Sequence, residues 1–399
     1  MIAGGIREQV EKSSVIRQMF EEGNRLAAIY GRENVFDFSL GNPNLPAPES
    51  VKDAIKNILD TRDSVQIHGY MSNAGYPEVR KTIADSLNRR FGTHFDETNI
   101  CMTVGAAGGM NTILKSIIDR DDEVVAIAPF FGEYRGYVEN YGGKLVVAAP
   151  NPPEFRLDVD KLAEVITSKT KAVIVNNPNN PSGVVYTEDD IKNLVKAIEL
   201  KKSEYNTDIA IISDEPYREL VYDGRGVPFL TKYYKDTFIC YSYSKSLSLP
   251  GERIGYIVIP DEMTESEELK SALSVATRIL GFVNAPSLLQ LTVAANVDAE
   301  VNVAAYDKNR KALYSGLTGL GFECVRPDGA FYLFVKSPIS DEKTFCDLAK
   351  EQNILLVPGS AFGCPGYVRI AYCVSYETIV NSMQGFARLA ESLGLSVDK

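Results

Sequence analysis

The feature that most restricts the possible folds is a regular alternation of apolar runs and helical patterns between Ile100 and Ile259. The run from Ala172 to Val175, for example, precedes a segment with helical spacing from Glu188 to Lys201. Such alternation predicts βαβ units, and therefore a mostly parallel sheet with helices on both faces. Because ligands of these sheets bind at the carboxyl ends of the strands, the polar residues that follow the apolar runs are the first candidates for a functional site.

The two ends of the chain have a different pattern. Helical spacing predicts an N-terminal arm from Ile6 to Tyr30, and a short strand pattern follows from Val35 to Leu40. Beyond the alternating region, one long helix is expected from Asn284 to about Leu320, and further strand patterns follow it. We therefore expect a large α/β domain over residues 45–290 and a smaller α+β domain formed by residues 1–44 and 291–399.

Composition argues against several classes of function. The net charge is −11, and no block of Lys and Arg provides the surface that nucleic acids require. No apolar run approaches the roughly 18 residues of a membrane span, and Met1 to Val10 lacks the apolar core of a signal peptide. The six cysteines contain no Cys-x-x-Cys pair and the two histidines are far apart, so we predict reduced thiols and no metal site. These patterns predict a cytoplasmic protein.

Two polar segments follow strands near the centre of the predicted sheet. Asn176 to Gly183 follows one apolar run, although its two Asn-Pro steps are also typical of a simple turn. Asp214 closes the next apolar run, from Ile209 to Ile212. A carboxylate at a buried strand end needs a cation as its partner, because burial of an unpaired charge is costly. Either a structural Arg or Lys or the protonated ring nitrogen of a ligand would serve.

Small residues mark two places where the backbone could approach a ligand. Gly105 to Met110 stands between a strand and a helix, where free N–H groups and the helix dipole attract anions. Gly41 precedes Asn-Pro, and it is either a turn glycine or a point of close approach to a ligand. Neither signal is specific alone, since many tight turns use glycine for shape only.

The most specific stretch runs from Ser242 to Gly255, where Lys245 follows an apolar run and Arg253 stands eight residues later. A lysine that attacks a carbonyl must lie in a partly desolvated site, where its amine is available. A nearby arginine both lowers the proton affinity of that lysine and binds phosphate through two hydrogen bonds. Together these residues suggest a cofactor that is a phosphorylated aldehyde.

The motifs occur together in an order that resembles a known family. Three of them carry the likeness: Ser242-x-Ser244-Lys245 with Arg253, Asn-Pro-x-x-Pro-Ser-Gly at 177–183, and Asp-Glu-Pro-Tyr at 214–217. From Gly41 to Arg369 the chain is similar to the pyridoxal-phosphate-dependent aminotransferases of class I and II, and among them to aspartate aminotransferase-like enzymes. The resemblance implies fold type I, with a seven-stranded, mostly parallel sheet between helices and a smaller α+β domain. It also implies transfer of an amino group from an L-amino acid to a 2-oxo acid.

The resemblance assigns roles to the residues that surround the cofactor ring. It implies that Lys245 forms a Schiff base with pyridoxal phosphate in a ping-pong reaction and moves the substrate proton. Asp214 would keep the ring nitrogen protonated, so that the ring withdraws electrons from the α-carbon of the amino acid. Tyr217 and Asn180 would form hydrogen bonds with the 3-oxygen of the ring, and Phe131 would stack on its face.

Further roles concern the phosphate, the substrate and a second subunit. The resemblance implies a phosphate site made of Ala106, Ala107, Ser242, Ser244 and Arg253. Tyr70 would reach the phosphate of the neighbouring subunit, which implies a homodimer with shared active sites. Arg369 would bind the substrate α-carboxylate through a bidentate pair, with Gly41 and Asn180 beside it.

One departure from the family bears on the substrate. Some aspartate-specific relatives have a lysine at the position matched here by Ala107, so that way of binding a side-chain carboxylate is absent. Arg278 could supply such a cation from the partner subunit, although its spacing fits the family poorly and a surface arginine is the alternative. The N-terminal arm around Ser13 and Ser14 has no diagnostic spacing. Donor and acceptor therefore stay open, with aspartate as one candidate.

Two other functions are compatible with the same cofactor site. A β-lyase that acts on sulfur amino acids would hold pyridoxal phosphate in the same way. A non-catalytic sensor would bind pyridoxal phosphate or an amino acid, but such regulators carry a basic DNA-binding domain ahead of this fold. The acidic-to-neutral N-terminal segment of this chain does not resemble one.

Overall fold

The computed structural model describes residues 1–11 and 15–395, so that Ser13 and Ser14 lie outside the described residues. The helices are α1 (Gly4–Glu11), α2 (Val15–Tyr30), α3 (Glu49–Thr61), α4 (Ser64–His68), α5 (Pro77–Phe91), α6 (Gly105–Ile117), α7 (Glu133–Glu139), α8 (Val159–Val165), α9 (Glu188–Tyr205), α10 (Tyr243–Ser246), α11 (Ser266–Ile279), α12 (Ser287–Ala294), α13 (Val303–Gly319), α14 (Glu342–Glu351) and α15 (Tyr376–Ser392). Within this part of the chain, no helix is long and apolar enough to span a membrane.

The strands form three separate sheets. They are β1 (Phe36–Asp37), β2 (Ile100–Thr103), β3 (Glu123–Ile127), β4 (Lys144–Ala148), β5 (Thr170–Asn176), β6 (Ala210–Asp214), β7 (Thr237–Ser242), β8 (Gly255–Val258), β9 (Cys324–Val325), β10 (Tyr332–Lys336), β11 (Ile354–Leu355), β12 (Val357–Pro358) and β13 (Tyr367–Ala371). The largest sheet has seven strands in the order β2-β8-β7-β6-β5-β3-β4. β8 is antiparallel to both of its neighbours, and the other adjacent strands are parallel. This arrangement confirms the predicted mostly parallel α/β sheet.

Both faces of the large sheet are buried, which explains why its central strands are apolar throughout. Successive side chains of β5 belong to different core clusters: Val173 and Val175 pack on one face, and Ala172 and Ile174 pack on the other. A parallel sheet is covered by helices on both faces because its crossover connections lie there. The carboxyl ends of β5, β6 and β7 therefore meet at one edge, between two layers of helices.

The C-terminal part of the chain forms a smaller layered unit. Its antiparallel sheet has four strands in the order β12-β13-β10-β9, and β1 pairs in parallel with β11. The N-terminal segment is thereby joined to the C-terminal part. A separate core cluster, which includes Phe38, Tyr332 and Phe386, packs these strands against α13 and α15. The unit agrees with the predicted smaller α+β domain, while the boundaries at 45 and 290 stay predictions.

The long helix predicted from Asn284 to Leu320 is wrong, because the chain forms α12 and α13 with a break between them. In the break, the Asp298 carboxylate accepts hydrogen bonds from Ser86 at 2.7 Å and Arg89 at 2.8 Å, both on α5. Asn302 then begins α13, because its side chain accepts a hydrogen bond from a backbone N–H of that helix. A tertiary ion pair and a local cap together interrupt an otherwise helical pattern.

The strand predicted from Val35 to Leu40 is shortened to β1, which ends at Asp37. The carboxylate of Asp37 accepts hydrogen bonds from the backbone N–H of Ser39 at 2.9 Å and from its hydroxyl at 2.6 Å. These bonds form a local turn that replaces further strand pairing. The turn leads the chain directly into Gly41.

Candidate active site

A cavity of about 370 Å³ opens at the carboxyl ends of β5, β6 and β7, and residues of β10 and β13 line its other side. Every site residue predicted from the sequence lines this cavity except Tyr70. The predicted residues on its wall are Gly41, Ala106, Ala107, Phe131, Asn180, Asp214, Tyr217, Ser242, Ser244, Lys245, Arg253 and Arg369. Further wall residues, which the sequence did not single out, are Met110, Tyr134, Tyr137, Asn176, Pro216, Pro250 and Tyr332.

Lys245 lies on the short helix α10, which begins directly where β7 ends. Its Nζ donates a hydrogen bond to the backbone oxygen of Gly41 at 2.6 Å. Burial lowers the pKa of Lys245 to about 8, and the charges of Arg369 and Arg253 act in the same direction, while Cys373 opposes them. At pH 7 about a tenth of the amine is therefore unprotonated and able to react with a carbonyl, and this fraction rises to about half near pH 8.

Asp214 ends β6 and is held by two neutral donors. The Tyr134 hydroxyl donates to its carboxylate, and the amide nitrogen of Asn176 lies 3.2 Å from the same oxygen. Burial raises the pKa of Asp214 to about 7, the Tyr134 hydrogen bond opposes this rise, and the charge of Glu215 adds to it. Among the described residues, no Lys or Arg pairs with this carboxylate, so the structural-cation alternative is rejected. Asp214 lines the cavity, and no cation of the described chain neutralises its carboxylate there.

The N-terminus of α6 and Arg253 form one end of the cavity. Gly105 has φ +74°, a backbone conformation that strains residues with a side chain, and a Cβ built on it would lie 2.9 Å from Nη2 of Arg253. Arg253 donates to the backbone oxygen of Pro250 at 2.9 Å, and within the described chain it has no acidic partner. The amides of Ala106 and Ala107 belong to the first turn of α6, where N–H groups have no intrahelical acceptor.

Two serines complete this end of the cavity. The hydroxyls of Ser242 and Ser244 lie 2.8 Å apart, and the Ser242 hydroxyl also accepts a hydrogen bond from the N–H of Ser244 at 3.2 Å. A helix N-terminus, two hydroxyls and a guanidinium without an acid are the donors that a phosphate requires. This end of the cavity is therefore suited to a phosphate group.

Arg369, on β13, is 2% exposed and lines the cavity together with Tyr332 of β10. Its guanidinium donates to the side-chain oxygen of Asn180 at 3.1 Å and to the backbone oxygen of Ser39 at 2.6 Å. The guanidinium carbon lies 4.5 Å from the ring centroid of Tyr332 and 4.7 Å from that of Phe362. Its Nε is buried without a hydrogen-bond partner. A planar carboxylate is the ligand that such a guanidinium binds best.

Gly41 and Tyr332 are in close contact across the cavity wall. A Cβ on Gly41 would lie 1.9 Å from the Tyr332 hydroxyl oxygen, so this position accepts only glycine. The same hydroxyl lies 2.8 Å from the hydroxyl of Tyr217. Gly41 thus leaves room for the Tyr332 hydroxyl, while its approach to a ligand stays a prediction.

Three of the seven wall residues that were missed, Asn176, Tyr134 and Tyr332, differ in the signal that the sequence offered for them. Asn176 is the last residue of β5, so the strand-end rule could have found it, but an Asn before Asn-Pro is also typical of a turn. Tyr134 stands three residues after Phe131, and the two rings meet edge to face with centroids 5.6 Å apart. For Tyr332, the sequence offers only a strand pattern.

Tyr70 and Arg278 lie outside the cavity. Tyr70 is 92% exposed in the loop after α4, and Arg278 is on the exposed side of α11. Their predicted contacts involve a second subunit, so both remain predictions.

The fold and the cavity together define a pyridoxal-phosphate-dependent transferase. The chain matches the family model for aminotransferases of class I and II over residues 33–384. It is 31% identical over 388 residues to aromatic-amino-acid aminotransferase 2 of Thermococcus litoralis, covering 94% of this chain and 95% of that protein. It is 29% identical over 389 residues to the aspartate aminotransferase of Pyrococcus horikoshii, covering 95% of each.

Solved structures agree with this match. An amino transferase from Eubacterium rectale is 48% identical with a TM-score of 0.96, over 98% of this chain and 99% of that one. The aspartate aminotransferase of Thermus thermophilus with maleate is 28% identical with a TM-score of 0.85, over 98% of this chain and 100% of that one. The chain belongs to the class I and II aminotransferases, which depend on pyridoxal phosphate.

Proposed function

We propose that the protein transfers the amino group of an L-amino acid to a 2-oxo acid in two half-reactions, with Lys245 as the residue that binds the carbonyl carbon of the cofactor. The observation that carries this proposal is that Lys245 shares one cavity with a buried carboxyl group and a buried guanidinium. Among the residues that the structure describes, Asp214 has no Lys or Arg as a partner, and Arg369 has no acidic partner.

The residues fit pyridoxal phosphate at both of its charged ends. The buried carboxylate of Asp214 would pair with the protonated ring nitrogen, which supplies the cation that this site lacks. Arg253, the two serines Ser242 and Ser244, and the first amides of α6 would hold the phosphate. When bound, the cofactor withdraws electrons from the α-carbon of the amino acid and so makes its proton removable.

The chain then has to move one proton and hold one carboxylate. With a pKa of about 8, the Lys245 amine is close to the operating range in which a group both accepts and returns a proton efficiently. Arg369 would hold the α-carboxylate through its Nε and one terminal nitrogen, with Asn180 and Gly41 beside it. Binding of the α-carboxylate in this way would hold the α-carbon of the substrate within reach of Nζ of Lys245.

Tyr217 and Asn180 are the proposed donors to the 3-oxygen of the ring. Both side chains are buried and line the cavity. The side-chain oxygen of Asn180 accepts from Arg369, which leaves its amide N–H groups free to donate. Asn180 would therefore join the substrate carboxylate site to the cofactor ring.

Purified protein should show a cofactor absorbance band that shifts when an amino donor is added. Lys245→Ala should lose both the band and the reaction. A matched control is Lys56→Ala, which removes an exposed lysine of α3 and should change neither. A Lys245→Ala variant that still transfers amino groups would contradict the proposal.

The substrate is the least specified part of this proposal. The relatives are named for aromatic amino acids and for aspartate, and this chain has Ala107 in place of the lysine of some aspartate-specific enzymes. A screen of amino donors against 2-oxoglutarate, pyruvate and oxaloacetate would identify the pair. Release of pyruvate and ammonia from cystathionine or cysteine without any oxo acid would instead identify a β-lyase.

A homodimer with shared sites explains why Tyr70 is almost fully exposed in the single chain. Mixed dimers of Lys245→Ala and Tyr70→Ala subunits test this. If Tyr70 serves the partner subunit, one site in each mixed dimer has both native residues and activity returns. If it serves its own subunit, every site lacks one of them and the mixture stays as inactive as the two parents.

A further inference from the structure

Tyr332 contacts both Tyr217 and Arg369 in the cavity wall, although neither the proposed cofactor site nor the proposed substrate site includes it. It lies on β10 of the smaller sheet and is 2% exposed. Its hydroxyl lies 2.8 Å from the hydroxyl of Tyr217, which follows β6 of the large sheet. Its ring lies against the guanidinium of Arg369, at 4.5 Å.

The direction of the Tyr217–Tyr332 hydrogen bond follows from counting protons. Each phenol has one proton to donate, and within the described chain Tyr332 is the only hydrogen-bond partner of the Tyr217 hydroxyl. If Tyr217 donates its proton into the cavity, its oxygen must accept from Tyr332. The positive charge of Arg369 beside the Tyr332 ring makes Tyr332 the better donor of the two.

We propose that Tyr332 is a positioning residue whose hydroxyl donates to Tyr217 and thereby strengthens the hydrogen bond that Tyr217 gives to the 3-oxygen of bound pyridoxal phosphate. A hydroxyl that accepts a hydrogen bond becomes a better donor, because the chain of dipoles is polarised in one direction. The inference rests on the proposed role of Tyr217. It adds a residue of the smaller sheet to the control of the cofactor ring.

The hydroxyl and the ring of Tyr332 have separable tasks. The ring stacks on Arg369, whereas the hydroxyl contacts Tyr217 and packs against Gly41. Tyr332→Phe removes the hydroxyl and keeps the ring, so it should leave the grip on the substrate carboxylate nearly intact. Its effect should fall on the cofactor.

The measurable consequence is the pKa of the nitrogen that links Lys245 to the cofactor, read from the absorbance of the cofactor-loaded protein across pH. Loss of that nitrogen's proton leaves the negative 3-oxygen without its nearest donor, so a hydrogen bond from Tyr217 favours the deprotonated form. Tyr217→Phe should therefore raise this pKa. Tyr332→Phe should raise it by less, on the order of half a pH unit.

The double variant tests whether the two residues act in series. Tyr332→Phe in the Tyr217→Phe background should cause no further shift, because there is no hydroxyl left to polarise. Tyr222→Phe is the matched control: this buried tyrosine donates to the backbone oxygen of Ala330 at 2.6 Å and does not line the cavity. Its titration should equal that of the unmodified protein, and melting temperatures would show that all variants are folded.

Each of the remaining outcomes would contradict one specific claim. A shift with Tyr217→Phe but none with Tyr332→Phe removes the inference and leaves the proposed function intact. No shift with Tyr217→Phe refutes the role of Tyr217 and the inference with it. A change confined to KM for the substrates would show that the Tyr332 hydroxyl only supports Gly41 and Arg369. An equal shift with Tyr222→Phe would show a general packing effect.

Discussion

Replacement of Lys245 by methionine should stabilise the cofactor-free protein at neutral pH, because the fold holds this side chain where its charge is disfavoured. Burial lowers the pKa of Lys245 from its ordinary 10.5 to about 8. At pH 7 the amine is mostly charged in both the folded and the unfolded chain. The folded chain therefore carries nearly the full free-energy cost of burying the charged amine. The difference between 10.5 and 8 corresponds to roughly 3 kcal/mol of unfolding free energy.

Two effects reduce the gain. Methionine loses the hydrogen bond from Nζ to the backbone oxygen of Gly41, which is worth about 1 kcal/mol. Lys245 is also only partly buried, which weakens the penalty on its charge. We therefore expect Lys245→Met to raise the unfolding free energy by about 2 kcal/mol at pH 7.

The sign of the pH dependence is fixed by proton binding. Between about pH 8 and 10.5, the unfolded chain binds more protons at this lysine than the folded chain does, so the unmodified protein gains stability as pH rises. The advantage of Lys245→Met should thus shrink to about zero near pH 10. Protonation changes at all other groups are the same in both proteins, so they cancel in the difference between the two unfolding free energies.

Urea unfolding of the two cofactor-free proteins at pH 7 and pH 10 measures this difference directly. Lys56→Met, which alters an exposed lysine of α3, is the control and should differ from the unmodified protein by the same small amount at both pH values. A Lys245→Met variant that is less stable at pH 7, or a gain that is independent of pH, would refute the reasoning.

Three further substitutions probe the wall of the cavity. Arg369→Lys should lower kcat/KM about 10²- to 10³-fold through KM for amino acid and oxo acid alike, since lysine cannot form the bidentate pair; unchanged KM values in steady-state kinetics would argue against the assigned role. Asp214→Asn should weaken cofactor binding about 10-fold or more, because a neutral amide does not balance a protonated ring nitrogen; equal affinity in equilibrium dialysis would exclude that pairing. Gly41→Ala should lower activity and melting temperature, because its Cβ would lie 1.9 Å from the Tyr332 hydroxyl oxygen. Adding Tyr332→Phe should restore part of both, and a double variant no better than Gly41→Ala would show that this clash is not the cause.

The positions at the strand ends could be predicted because they depend only on the chain pattern. Once alternating strands and helices specify a parallel sheet, Lys245, Asp214 and Asn180 must lie at the same edge. The direction in which the Tyr134 side chain points could not be predicted, since it depends on how α7 packs on the sheet. The position of Tyr332 in the cavity wall could not be predicted either. The contact between the two sheets decides which face of β10 lines the cavity, and a strand pattern does not show this.

Several strands of the smaller unit were missed for a related reason. The strands β9, β11 and β12 have two residues each, which is too short for an alternating pattern to be recognised. They are strands only because distant segments pair with them, as β1 does with β11. The break between α12 and α13 is similar, since the ion pair of Asp298 with Arg89 joins positions 209 residues apart.

Arg369 has a consequence for how the protein behaves in solution. Its buried guanidinium has an unbonded Nε and, within the described chain, no acid beside it. Formate, acetate and citrate carry the same planar group as an amino acid, and they will compete for this position. Turnover in a carboxylate buffer should thus be slower than in an amine buffer of equal pH and ionic strength. In a mixture of metabolites, we expect the small acid with the highest ratio of concentration to Kd to occupy the resting protein, so that a substrate must displace it.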